Sequence, residues 1–595
     1  MNSKSTYDKR PGVKVSDSAE DLAFGWEEIR KELQVGATLA GRIAIECYPG
    51  VKQSALLREL VAVFGPAMIL ESERALFSAD YLEEKFATML GDDPIFARME
   101  SHDLREFFDP AKLEVTREKI EASARRVVVI GTGATLLMPH WDLLIYVDIT
   151  RWEIQRRQRR GELPNLGLDN VGVSPTALYK RAFFLDWRVA DRRKNELYER
   201  VDYWIDGNVP DRPAMLHGQQ FRRALEAVSR RPFRVVPFFD PGPWGGQWMR
   251  RMFDLPDGPV NYAWCFDCVP EENSLILKFG AREFETPALM LVHHYPIHLL
   301  GADVVKQFGA EFPIRFDFLD TMEGGNLSLQ VHPPRQFMQE QFGLFYTQDE
   351  SYYILDAAPD ATVYLGLQEG IEPANMAEDL RVAQTGGPPF ASERYVNRWP
   401  ARKHAHFLIP AGTIHCSGRS VVVLEISATP YIFTFKLWDW GRFGLDGRPR
   451  PIHLEHGLKS IQWDRTTQWV REQLLDQQST LAEGDGWREE KTGLHPLEFI
   501  ETRRHWFTKT VEHDTKGNLN VLNLVEGKAA IVESPTDAFP PMTIHYGETF
   551  IVPAAVGSYA IRPADSVQRP LATIKAYVRE ENYWSNSNVT GAETA

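Results

Sequence analysis

Cysteine is scarce in this chain: four in 595 residues, at positions 47, 265, 268 and 416. Four scattered thiols are too few for a disulfide framework, which points to a reducing compartment, the cytoplasm. Cys265 and Cys268 form a single C-x-x-C beside Trp264 and Phe266, which without a second pair reads as two small half-buried side chains rather than a redox or zinc site. Long apolar runs are absent too. No stretch approaches the roughly 20 residues needed to span a bilayer. The polar start, MNSKSTYDKRPGVKVSDSAED, has no apolar core and reads as neither signal peptide nor anchor, so no membrane partner is expected. Nor is there a basic excess. Lys and Arg number 67 against 82 Asp and Glu, and a net charge of -15 excludes a nucleic-acid partner while leaving room for a local basic pocket.

What is present is an ordinary soluble composition, 43% hydrophobic and 25% charged. At roughly 150 residues per domain the length implies three or four domains. After a polar extension at 1–36, the segment 37–225 alternates apolar β-branched runs (RRVVVIGTGA, DLLIYVDIT) with charged helical stretches, the pattern of an α/β domain with a buried parallel sheet. Beyond a Pro-rich join the texture changes to short strands and frequent turns: NSLILKF, NLSLQVHP, SYYILDA, AHFLIPAG and SVVVLEIS. That texture indicates β-barrels, one at 235–455 and a second at 499–595, separated by a helical insertion at 456–498.

The first barrel carries a candidate metal site. Gln330 and His332 are two apart on an alternating run, so both can reach one point inside a barrel. Asp349-Glu350 opens a later strand, and the turn Pro410 to Ile414 delivers His415 to the next. Two imidazoles, a carboxylate and an amide oxygen form a mixed N/O set suited to zinc, with iron, cobalt or manganese as alternatives. Without a thiolate, the set leaves positions open for a substrate hydroxyl and carbonyl.

The strings LSLQVHP, ESYYILDA and IPAGTIH, followed in order by FKLWDWGR at Phe435 to Arg442 and RPRPIHLEHGL at Arg448 to Leu458, resemble the class I mannose-6-phosphate isomerases, which are cupins; PWGG at Pro243 to Gly246 precedes them. The resemblance implies two cupin barrels, a divalent metal held by Gln330, His332, Glu350 and His415, and a sugar phosphate as substrate. It places Arg442 on an arginine that assists catalysis and Lys436 where a cation can meet phosphate. An ion pair of Arg442 with Asp439 or Asp446 is the simpler alternative. Such an isomerase moves a proton between C1 and C2, and Glu350, a nearby histidine or Lys436 are the candidate bases. Two departures stand out: Gln348 and Asp317 occupy places where the family tends to carry lysine. A free sugar as substrate, or a non-catalytic sugar sensor, are the rival readings. The second barrel has Pro553 to Tyr559 where the histidine turn belongs, and reads as metal-free and structural.

In the α/β segment, ECYPGVKQSALL follows a strand and opens a helix, the context of a phosphate-binding loop. In that register the chain supplies Glu46, Val51, Lys52 and Gln53, so only Lys52 fits, although Gly50 and Ser54 lie one step away. With WEIQRRQRRGEL resembling an arginine-rich lid, the segment looks like a degenerate P-loop kinase domain. A glutamate where phosphate should be wrapped argues against nucleotide binding there.

Overall fold

In the computed structural model the apolar run Arg126–Gly131 is a buried strand, flanked by Arg42–Cys47 and Ala67–Glu71. Residues 5–65, 67–445, 447, 450–493, 495–566 and 569–579 are described. Asp446, Arg448 and Pro449, and the ends of the expected extension and second barrel (1–4 and 580–595), lie outside them. The chain divides into two compact units: one of residues 11–229 with 270–295, the other of 1–10 and 230–269 with 296–595.

The first unit is built on a seven-stranded sheet. Its order is Ala23–Phe24, Ala214–His217, Tyr203–Asp206, Leu143–Asp148, Arg42–Cys47, Arg126–Gly131, Ala67–Glu71, of which the last five run parallel. Strands such as LLIYVD are buried along their whole length, as expected where helices cover both faces. The chain reverses its winding between Arg42–Cys47 and Leu143–Asp148, the switch point where open sheets of this kind hold ligands.

The boundaries differ from the sequence expectation. The helix Gly25–Gly36 buries Ile29 and Leu33, and Val13–Ser16 pairs in parallel with Ser274–Phe279. The extension is thus part of a fold, because WEEIRKEL carries apolar residues at helical spacing. The hairpin Ser274–Phe279 and Arg282–Pro287 lies within 235–455 but joins the first unit through that pairing.

The second unit holds two barrels. In the first, a six-stranded sheet contains Glu350–Ala357 and Val421–Ala428, and a five-stranded sheet contains Leu329–Val331, His415–Ser417 and Phe435–Trp438. In the second, six and four strands enclose an apolar core that includes Phe507, Leu522, Phe550 and Ile561. The expected insertion at 456–498 is helical only in its first part, at Leu454–Ser460 and Thr467–Gln473. Ser479–Gly484 and Trp487–Gly493 form a hairpin instead. Its two-residue turn is Asp485-Gly486, with Gly486 at φ +81. Among the described residues no helix is long and apolar enough to cross a membrane.

Candidate metal centre

Four side chains from both sheets of the first barrel meet inside it. Gln330 lies on Leu329–Val331 directly opposite His415, and His332 follows the end of the same strand. Glu350 opens a strand of the other sheet. His415 is delivered by a turn at Gly412, whose φ of +92 suits glycine and where a Cβ would lie 2.5 Å from the Gln462 side chain.

The four are 7%, 1%, 2% and 0% exposed (Gln330, His332, Glu350, His415), so whatever balances their charge must come from inside. His415 Nε2 lies 2.7 Å from Glu350 Oε1, and His332 Nε2 lies 3.0 Å from Glu350 Oε2. One ligand atom from each of the three falls within 4.8 Å of the others. The outer nitrogens fix the roles of the inner ones. His415 Nδ1 is 2.8 Å from the Thr413 carbonyl and His332 Nδ1 is 3.4 Å from that of Phe433. Each Nδ1–H donates outward, so each Nε2 turns a lone pair toward a carboxylate oxygen. Glu350 Oε1 forms no hydrogen bond. Lone pairs facing lone pairs in a buried site call for a cation between them, and the set fits a divalent metal. The Gln330 amide sits 3.3 Å from His415 Nε2, and with its oxygen and nitrogen exchanged it adds a fourth donor.

Electrostatics agree. Burial alone would raise the Glu350 carboxyl; positive charge on the His332 and His415 side, the place a metal cation would take, more than offsets it and holds the carboxyl well below the usual range. Burial pushes His332 below the ordinary imidazole value, toward the neutral form that binds metals.

Behind Glu350 lies a layer of which the sequence had singled out Gln348 and Asp317 but not Arg315 or Glu425. Gln348 Nε2 donates to Glu350 Oε2 (3.0 Å) and to Glu425 Oε1 (3.3 Å). Burial, reinforced by the neighbouring Glu350, raises the Glu425 carboxyl well above the usual range. Asp317, pushed up to about 6 by burial against the pull of Arg315, pairs with that arginine. A cation is present here, but Arg315 is spent on Asp317 and lies 4.0 Å from Glu425. Glu425 opposes Asp317 and Tyr352 in strand register, and alternation in the buried run VVVLEISA was the signal that could have found it.

Lys436 lies opposite Gln330 on the adjacent strand, on the face that carries the donors. Burial, reinforced by Arg450 and opposed by Asp439, pushes its ammonium down to about 7. Arg442 is tied elsewhere. It pairs with Asp439 Oδ1 and donates to the Asn326 carbonyl at 2.6 Å, while Arg450 holds the other oxygen of Asp439 at 3.0 Å. An Arg442–Asp439 pair is present.

In the first unit Lys52 is half exposed and pairs with Glu162 at 2.8 Å. Glu46 is buried and accepts from the Gly133 and Thr135 N–H groups and the Thr135 hydroxyl. The arginine-rich helix Arg151–Arg159 is only partly solvated. Arg157, 1% exposed, donates to the carbonyls of Gly50, Gly207 and Asn208, and Arg151 pairs with Asp191 at 2.6 Å. The loop before Gln53–Phe64 is therefore fastened by protein groups.

A family profile described as a domain of unknown function, DUF8485, matches residues 25–230. Over about 40% of its length the chain is homologous to mannose-6-phosphate isomerases. It is 24% identical over 236 residues to the mannose-6-phosphate isomerase ManA of Bacillus subtilis (strain 168), covering 40% of this chain and 69% of that protein. It is 25% identical over 221 residues to that of Streptococcus mutans, covering 36% and 63%. Among solved structures, the Bacillus subtilis mannose 6-phosphate isomerase aligns with a TM-score of 0.47 at 16% identity, over 58% of this chain and all of that one. A zinc-bound mannose 6-phosphate isomerase aligns at 0.45 and 13%, over 59% and 100%.

Proposed function

We propose that the first barrel is the active site of a metal-dependent aldose–ketose isomerase that interconverts mannose 6-phosphate and fructose 6-phosphate. The observation that carries this reading is Glu350, buried between two imidazoles whose Nε2 atoms both face it, in a chain homologous to enzymes of that name. A bound divalent cation, zinc first, would stabilise the negative charge that develops on the two substrate oxygens as the proton leaves carbon. His332, His415, Glu350 and Gln330 hold it, and Gln348 orients Glu350 from behind.

The proton itself needs a base that titrates near neutrality. Glu350 is held too acidic for that task, and both Nε2 atoms are turned toward it. Lys436, at about 7 beside Gln330, is the side chain suited to take and return the proton. Arg442 acts at one remove: with Arg450 it adds positive charge that helps depress Lys436 against the pull of Asp439. The first unit carries no phosphotransfer activity on this reading and serves regulation or assembly.

A free hexose is the second reading, favoured by one observation: Gln348, Asp317 and Glu425 offer no unpaired cation behind the metal centre. A coupled assay separates the two. Metal-loaded protein should turn over mannose 6-phosphate with a higher kcat/KM than free mannose, and chelation should abolish the activity. A preference for the free sugar would overturn the phosphate assignment. Full activity in chelated protein would overturn the metal assignment, and no turnover of any hexose would leave a sensor.

A further inference from the structure

The second barrel is apolar at one end of its interior and polar at the other. Phe507, Val511, Tyr559 and Leu571 belong to its core. Two residues along each strand, on the same inner face, Phe507 gives way to His505, Val511 to His513, and Leu571 to Thr573 and then Lys575. His505 is opposite Thr573 in register, and His513 is opposite Tyr559 with the rings stacked at 5.0 Å. The two histidine rings lie 4.5 Å apart. His505, His513, Thr573 and Lys575 are 3%, 7%, 0% and 8% exposed.

Among the described residues this cluster is not satisfied by the protein. His505 Nδ1, His513 Nε2 and Thr573 Oγ1 are buried without hydrogen-bond partners. Native interiors contain few such atoms, and three on neighbouring strand positions at one end of the barrel point to a ligand. Lys575 forms no ion pair among the described residues, and its ammonium lies 5.7 Å from the Tyr577 ring centre. The nearest carboxylate, Glu489, is engaged by Arg503 at 3.0 Å and His505 Nε2 at 3.2 Å. A buried cation without a counterion is costly, and an anion relieves it.

We propose that this end of the second barrel binds a phosphate group, free or as a monoester. The match is one of hydrogen-bonding roles. His505 donates Nε2–H to Glu489, so its Nδ1 accepts, and a hydrogen phosphate supplies an O–H for it. The remaining phosphate oxygens take the Lys575 ammonium and the Thr573 hydroxyl as donors. A metal ion fits less well, since Lys575 repels a cation and Glu489 is already engaged. A carboxylate lacks the O–H at neutral pH. Burial also holds both histidines below the ordinary imidazole value and brings Lys575 down to about 8, as expected for a cationic site lacking its anion. The site is independent of the isomerase reading.

The test is calorimetric titration of the chelated full-length protein with inorganic phosphate, glycerol phosphate and acetate, in wild type, Lys575→Met, Thr573→Val and His332→Ala. Saturable phosphate binding should persist in His332→Ala, and should weaken by at least about tenfold in Lys575→Met and several-fold in Thr573→Val, as charge-assisted and neutral hydrogen bonds are lost. Tighter binding of glycerol phosphate identifies the monoester as the ligand, and tighter inorganic phosphate the free ion. In phosphate-free buffer Lys575→Met should melt no lower than wild type, since it removes an uncompensated charge; a lower melting temperature with unchanged phosphate binding in Thr573→Val would mean a structural lysine and overturn the proposal. Equal isotherms in wild type and both second-barrel variants would overturn it, as would acetate binding as tightly as phosphate. If Lys575→Met does not fold, Thr573→Val decides.

Discussion

Replacing Glu350 by Gln removes one charge from the metal centre while keeping its shape. The side chain is 2% exposed, and Gln348 still reaches it, so the barrel should fold. The metal loses its one anionic donor. Changing residues that merely orient ligands costs roughly 10–100-fold in affinity, so losing this donor should cost at least about 100-fold. The consequence for stability follows from mass action. At a metal concentration about 100 times the wild-type Kd, binding stabilises wild type by about 2.7 kcal/mol. A variant binding about 100-fold more weakly gains only about 0.4 kcal/mol under the same conditions. Glu425→Gln is the matched control, since Glu425 is already held neutral and its replacement should leave the full response. Scanning calorimetry of chelated and zinc-reloaded proteins, with metal content measured in parallel, reads all three. An equal zinc-induced rise in wild type and Glu350→Gln would refute the assignment of Glu350 as a ligand.

Three further outcomes are expected. Lys436→Ala should lower kcat at least about 100-fold with little change in KM, and should remove the limb of the kcat–pH profile near pH 7; a rise in KM alone would make Lys436 a phosphate contact. Lys52→Ala should leave isomerisation unchanged, and neither protein should hydrolyse ATP; phosphotransfer lost in the variant would reinstate a kinase site. Asp206, raised to about 7 by burial, binds a proton more tightly folded than unfolded, so its contribution is complete below about pH 4 and is lost as pH rises through about 7. Asp206→Asn should flatten that decline, by up to about 1.4 kcal/mol per pH unit, in melts followed from pH 4 to 8, and an unchanged slope would refute it.

The metal site was legible because its residues follow local rules. Gln330 and His332 share a strand face and a glycine turn aims His415; that these meet Glu350 was implied by the family resemblance. The layer behind Glu350 was legible only at Gln348 and Asp317; Glu425 meets Asp317 across strands far apart in sequence, and Arg315 was not read as its partner. His505 and His513 carry no signature for the same reason: they lie on strands remote from the Pro553 to Tyr559 turn, where a barrel histidine is expected. In the first unit the alternation of strands and helices was plain. The return of Ser274–Phe279 to pair with Val13–Ser16 was not, since strand pairing over such a separation leaves no local signature. The hairpin at 479–493 had one, Asp-Gly between alternating runs, masked by helix-compatible Glu, Lys and Leu.

On the proposed function the first barrel moves a proton between C1 and C2 of a hexose phosphate. Proton NMR of mannose 6-phosphate with zinc-loaded protein in deuterium oxide tests it most directly. Conversion to fructose 6-phosphate is expected, abolished in His332→Ala and His415→Ala and by chelation. Mannose 6-phosphate left unchanged by fully metal-loaded wild type, or converted equally well by the two histidine variants, would contradict it.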